Sequence, residues 1–235
     1  MAAGELEPLL LNSAVEMPWL LRVKIAHDIA QGLLYLHNRT IVHRDIKCAN
    51  VLIDDKWRAV LGDYGFARKA DSARAMTMCG SDEYMAPEVI WGDPYDVRVD
   101  MYSFGLVLVA LMTRRAIGKA GFLERKPKNK FQLDMDELHA AVPADCPASL
   151  LECAVQCLAD EPDARLTSEE AADWLEDMVE ELGGASAIAG MPAPPTPASP
   201  DSASLASPVG TGTMHDARAV PRPAAAAPGL ESVAE

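Results

Sequence analysis

Positive charge is what this sequence has little of. Its 235 residues carry 21 Lys and Arg against 35 Asp and Glu, a formal net charge of −14. Binding to nucleic acid or an anionic membrane irrespective of sequence needs clustered cations. The one basic cluster, residues 125–130, is short and interrupted by Pro127, and reads as a solvated loop. Nucleic acid is therefore not an expected partner. Long apolar runs are also missing. Residues 104–112 are too few to span a bilayer. Leu9-Leu10-Leu11 is too short for the apolar part of a secretory signal and has no basic flank, so neither secretion nor membrane insertion is expected. The five cysteines show no zinc spacing and no disulfide framework. Cys153 and Cys157, four apart on an expected helix, read as core thiols. A reducing, cytoplasmic setting is the expectation. No G-x-G-x-x-G occurs, so the sequence holds no such phosphate-binding loop.

What is present suffices for one domain and a tail. Pro18 opens a helix expected to run to Asn38, with Leu20, Val23, Ala26, Ile29, Leu33 and Leu36 recurring at helical steps. Residues 99–112 read as a helix apolar all round, the pattern of a domain centre. Residues 113–147 read as polar and irregular, with Phe131, Leu133 and Leu138 as anchors. A further helix is expected over residues 148–159. Thr167-Ser168-Glu169-Glu170 is a capping box opening a last helix to about Leu182. His27 and His37 read as helix-surface or packing residues, without a second ligand at metal-like spacing. From Gly183 the composition turns to Ala, Pro, Ser and Gly, which cannot bury enough surface to offset chain entropy. A domain over residues 1–182 and a disordered tail over 183–235 are the expectation. Thr196, Ser199 and Ser207 in that tail precede prolines and could take proline-directed phosphates.

The chemistry gathers in His43-Arg44-Asp45-Ile46-Lys47-Cys48-Ala49-Asn50 and, after a short strand-turn-strand, Asp63-Tyr64-Gly65. An aspartate can accept a proton from a hydroxyl. A lysine two residues on can neutralise a phosphate. Asn50 and Asp63 offer hard oxygens suited to Mg²⁺. Such a set serves phosphoryl transfer.

H-R-D-x-x-x-x-N, D-x-G and then Ala86-Pro87-Glu88, in that order, resemble the catalytic loop, metal loop and activation-segment end of eukaryotic protein kinases. The resemblance covers residues 4–182 and only the larger lobe of such an enzyme. It implies a mainly helical α+β fold with small β-hairpins, and serine/threonine kinase activity with ATP and Mg²⁺. The wording of residues 43–52 and 96–108 is similar to the tyrosine-kinase-like branch. By resemblance Asp45 is the proton acceptor and Lys47 the phosphoryl clamp. Asn50 and Asp63 hold Mg²⁺, and Leu52 floors the adenine. Arg44 would bind a phosphate on the activation segment, with Thr77 as its site. Ser81 would bond Asp45 and Lys47, Asp100 the catalytic-loop backbone, and Glu88 would pair with Arg165. Tyr64, where phenylalanine is commoner, keeps nearly the same volume. The alternative is an inactive kinase-like fragment whose interlobe surface docks a protein partner.

Overall fold

A computed structural model of the chain describes residues 2–69, 81–125 and 132–195. Thr77 lies outside them, as do Phe131, Thr196, Ser199 and Ser207. Strand β1 (Ala2–Glu5) leads directly into helix α1 (Leu6–Leu11). Helix α2 (Trp19–His37) follows, then the short strand β2 (Ile41–Val42). A hairpin of β3 (Val51–Asp54) and β4 (Ala59–Leu61) comes next, and β5 (Arg68–Lys69) closes the strand-bearing half. Helices α3 (Pro87–Trp91), α4 (Arg98–Thr113), α5 (Met135–Ala141), α6 (Ala148–Cys157) and α7 (Ser168–Glu181) complete the unit.

Helix α4 is the centre. Every residue from Val99 to Met112 is buried, as a nearly all-apolar helix requires, and the one charged residue among them, Asp100, is buried with the rest. Even Gly105 is there for packing. A Cβ at this position would meet Leu158 Cγ at 2.8 Å and Cys157 Cβ at 3.0 Å. Gly105→Ala is expected to destabilise the fold by about 1–3 kcal/mol through overpacking. Urea unfolding followed by circular dichroism would show it as a lowered midpoint.

Helix α2 buries Leu21, Val23, Ile25, Ala26, Ile29, Ala30, Leu33 and Leu36, and packs against α7 and β4. The helical stripe is thus wider than the expected one, and Leu20 sits at its edge, half-buried, because α2 has neighbours on more than one side. Arginines close two helix ends. The Arg22 guanidinium donates to the carbonyls of Leu111 and Met112 at 3.2 and 3.0 Å, where α4 runs out of amide partners. Arg114, left-handed at φ 54°, donates to the carbonyl of Leu10 in the last turn of α1 and to those of Asn12 and Val15 beyond it. The expected capping box is present at α7, with Thr167 accepting from the Glu170 amide and Glu170 from the Thr167 amide.

The sheet has the order β1-β3-β4, all antiparallel, and β2 pairs separately with β5. The expected hairpin gains β1 as a third strand through its backbone hydrogen bonds, which side-chain patterning does not report. In β3 and β4 the inward residues Val51, Ile53, Ala59 and Leu61 are buried, while the cross-strand pair Leu52 and Val60 faces out.

Two regions differ from expectation. Residues 113–147 are less irregular than their composition implies. Helix α5 starts with Asp134 accepting from the Glu137 amide, and Leu138 is fully buried, as are Ile117, Phe122 and Leu123. The packed region also runs past Leu182. Ala185–Gly190 form a 3-10 helix, Ile188 is buried, and the Trp57 indole donates to the Pro192 carbonyl at 2.8 Å. Ile188, Met191 and the Trp57 indole anchor this stretch of small residues, whose average composition argues for disorder. Among the described residues, no helix is long and apolar enough to cross a membrane.

Candidate active site

Two strands fix the loop that bears the chemistry. Strand β2 delivers the chain to His43, and β5 binds β2 just after the Asp63 segment. His43 is fully buried and works on both sides of the loop. Its Nε2 donates to the Gly62 carbonyl at 3.0 Å, and its Nδ1 accepts from the Asp45 amide at 3.4 Å. The Gly62 amide donates in turn to the Asn50 carbonyl at 2.8 Å. Asn50 and the residue before Asp63 are therefore neighbours through backbone alone.

Asp45 is 5% exposed and its carboxylate is fully engaged. Oδ2 accepts from Lys47 Nζ at 2.9 Å and Asn50 Nδ2 at 2.7 Å. Oδ1 accepts from the Ser81 amide at 3.1 Å and the Ser81 hydroxyl at 3.0 Å. Burial alone would push the carboxyl up. The hydrogen bonds from Lys47, Asn50 and Ser81, with the Lys47 charge, outweigh it and hold Asp45 below the usual carboxylate range. At neutral pH it is an anion that accepts. Lys47 Nζ also reaches Ser81 Oγ at 2.8 Å, so a serine hydroxyl already rests between the carboxylate and the ammonium.

Asn50 gives its amide nitrogen to the Asp45 carboxylate and to the Asp45 carbonyl at 2.7 Å, which leaves its oxygen as the group able to ligate. Asp63 is exposed and left-handed at φ 54°, with Oδ1 accepting from the Gly65 amide at 3.2 Å. It shares no direct bond with the Asp45 cluster and joins it through the Asn50–Gly62 backbone link. The two hard oxygen donors, the Asn50 side-chain oxygen and the Asp63 carboxylate, fit Mg²⁺. That ion takes one or two protein ligands and completes its shell with water and phosphate oxygens. Leu52 and Val60, a cross-strand pair, and Tyr64 and Phe66, which follow Asp63, are each exposed, and Leu52 borders Gly62. The residues present fit a magnesium nucleotide.

Supports surround the loop. Asp100 is 1% exposed, and its carboxylate accepts from the His43 amide at 2.7 Å and the Arg44 amide at 2.8 Å. Arg44 takes φ 70°, costly for a residue with a Cβ, and those two bonds hold it there. The Arg44 Nε donates to the Phe66 carbonyl at 2.6 Å. Arg165 uses all five of its donors. It meets Glu88 twice, at 2.6 and 2.8 Å, and also the carbonyls of Ala159, Arg98 and Asp160. His37, read from sequence as a surface or packing residue, instead joins Asp100 to α7, and nothing in its spacing signals that. Burial pushes the Cys48 thiol up to about 12, so this loop cysteine is no nucleophile. Beside Ser81 a cavity of about 410 Å³ opens among Asp82, Glu83, Met85, Ile90 and Leu123.

Residues 1–175 match the family described as the protein kinase domain. A probable serine/threonine-protein kinase of Dictyostelium discoideum is 43% identical over 164 residues, which is 69% of this chain and 38% of that protein. The probable serine/threonine-protein kinase kinX of the same organism is 36% identical over 178 residues, 74% of this chain and 16% of its own length. Rat dual specificity testis-specific protein kinase 1 is 37% identical over 201 residues, 82% of this chain and 31% of that protein. The chain thus spans well under half the length of these relatives.

Proposed function

This chain belongs to the protein kinase family, and from that membership we propose that it carries the catalytic region of a serine/threonine kinase. The observation that supports this best is the serine hydroxyl on Asp45 with Lys47 alongside. It is the hydrogen bond a substrate serine or threonine would make. Asp45 orients that hydroxyl and accepts its proton as the phosphoryl group arrives, and Lys47 steadies the charge on the transferring group. Asn50 and Asp63 would hold magnesium, and Leu52 the face of the base. MgATP supplies the phosphoryl group when bound. Arg44 would receive a phosphate carried on residues 70–80, Thr77 being the site read from position. Lys47 and Ser81 favour serine or threonine acceptors, in keeping with the names of the two Dictyostelium discoideum relatives. The wording of residues 43–52 and 96–108 supports assignment to the tyrosine-kinase-like branch. Residues 1–182 supply the larger lobe's share of the site, and residues beyond 195 serve as linker. Protein substrates would lie along Ser81 and the neighbouring cavity. The exposed surface of Leu52, Val60, Tyr64 and Phe66 is where a second protein surface would cover the nucleotide.

Calorimetry of the 235-residue chain with MgATP tests the site. Binding is expected, and Asp63→Asn should weaken it about tenfold or more by removing a charged metal ligand. Binding equal in chain and variant would refute the metal assignment. A folded chain that ignores MgATP would favour a docking module over an enzyme.

A further inference from the structure

Two glycines follow the end of α7, Gly183 at φ 119° and Gly184 at φ 74°, and they turn the chain out of the helix through conformations that a residue with a Cβ rarely takes. What comes next has a period of three. Ile188 and Pro194 are buried and Met191 between them packs on the core, whereas Ala189, Gly190, Pro192, Ala193 and Pro195 are exposed. Three residues per turn is the repeat of the 3-10 helix over Ala185–Gly190. It is also the repeat of polyproline II, whose conformation Met191 takes at φ −73° and ψ 149°. Pro192, Pro194 and Pro195 have φ fixed by their rings at about −65°, close to the same value. Over residues 188–194 the chain is therefore a strap with one face of its threefold repeat on the domain.

The domain meets this strap with Trp57, in the turn between β3 and β4. The Trp57 backbone is left-handed at φ 61°, a costly place for a residue with a Cβ. Its indole is 3% exposed, and the indole N–H donates to the Pro192 carbonyl at 2.8 Å. Among the described residues this is the one hydrogen bond that ties residues 192–195 to the domain. An aromatic surface reads an extended proline-bearing chain in this way, with a ring N–H on a carbonyl and side chains docked at every third residue. Polyproline II has no internal hydrogen bonds, so its carbonyls are free to accept, and it loses little entropy on docking. We infer that the surface around Trp57 is a recognition site for a polyproline II segment of the form apolar-x-x-Pro, and that residues 191–194 are its built-in ligand. Beyond Gly184 the strap is held by three side chains and one hydrogen bond, so it can leave without unfolding the domain. The vacated site takes the same kind of segment from another protein. Nothing in this depends on the kinase reading, because Trp57 lies at the opposite end of the β3–β4 hairpin from Asn50 and Asp63.

The test follows hydrogen exchange of the Trp57 indole N–H by NMR in the full chain, its signal identified by its loss in Trp57→Phe. Pro194→Ala, at an inward position, is expected to speed that exchange about tenfold, the weight of two buried methylenes. Pro195→Ala, at the outward position beside it, removes the same ring and should change nothing. Ile188→Asp with Met191→Asp should free the strap, so that the indole N–H exchanges like an exposed one while the amides of α4 stay protected. A synthetic peptide of residues 187–195 added to that double variant should restore the protection. The same peptide with Pro194→Ala should need about tenfold more to do so, for the same two methylenes. The native chain, with its site filled, should bind the peptide far more weakly than the double variant does. Equal exchange in Pro194→Ala and Pro195→Ala overturns the threefold docking. A freed indole that the peptide leaves unprotected makes the strap a piece of the core and overturns the recognition site. If the double variant does not fold, Ile188→Ala with Pro194→Ala opens the strap more gently. The native peptide must then protect the indole, and its failure overturns the inference equally.

Discussion

Asp45→Asn is expected to slow phosphoryl transfer from MgATP to a serine peptide by about 10²–10⁴-fold, the range a positioned proton acceptor contributes. The change is nearly isosteric, so the loss is chemical. In the native site four donors converge on two carboxylate oxygens: Lys47 and Asn50 on Oδ2, the Ser81 amide and hydroxyl on Oδ1. An amide must turn its NH₂ toward one of those pairs. Toward Oδ2 it would face an ammonium and another NH₂. Toward Oδ1 it would face the Ser81 amide. Either way a donor loses its acceptor, and no group remains to take the hydroxyl proton. Initial rates with labelled ATP would measure the effect, and near-ultraviolet circular dichroism would show that the variant is folded. A folded Asp45→Asn with a rate within twofold of native would remove Asp45 from the mechanism. Ser81→Ala leaves the carboxylate ionised and is expected to cost far less.

The second large effect is on stability. Arg165→Met should destabilise the fold by about 3–5 kcal/mol, because it strands Glu88 as a buried charge. In a domain of this size that lowers the melting temperature by about 6–20 °C. Glu88 is only 9% exposed and both its oxygens face Arg165. The double change Arg165→Met with Glu88→Leu should recover part of the loss, since no charge is left unpaired. Recovery stays incomplete because the carbonyls of Ala159, Arg98 and Asp160 also lose a donor. Calorimetric melting of the two variants separates the terms. A single variant that melts with the native chain would mean that the pair adds nothing.

The two predictions draw on different layers of information. The proposed acceptor, clamp and metal donors are legible in the chain because Asp45, Lys47 and Asn50 sit on one loop, and local spacing survives folding. Glu88 and Arg165 were paired from sequence only by resemblance, being 77 residues apart. Their bidentate geometry is a product of α3 and the segment before α7 meeting at α4.

The long helices α2, α4 and α7 are written in the sequence itself, since the burial period of α2, the nearly all-apolar α4 and the capping box at Thr167 are local properties of side-chain order, whereas α5 is not. The sequence determined as well the residue types of a phosphoryl-transfer site. What those residues touch was expected only by resemblance, and the contacts themselves are made by tertiary structure. It put Ser81 on Asp45 across 36 positions, and it bound Asn50 to Gly62 through backbone atoms common to every residue. It turned His37 from a helix end into a partner of Asp100, and it drew β1 and Ile188 into the packed unit. The physical reason is the same in each case. Helical periodicity and capping act over a few residues. A hydrogen bond between distant groups depends on where the core has brought two backbones together, and no single stretch of sequence encodes that.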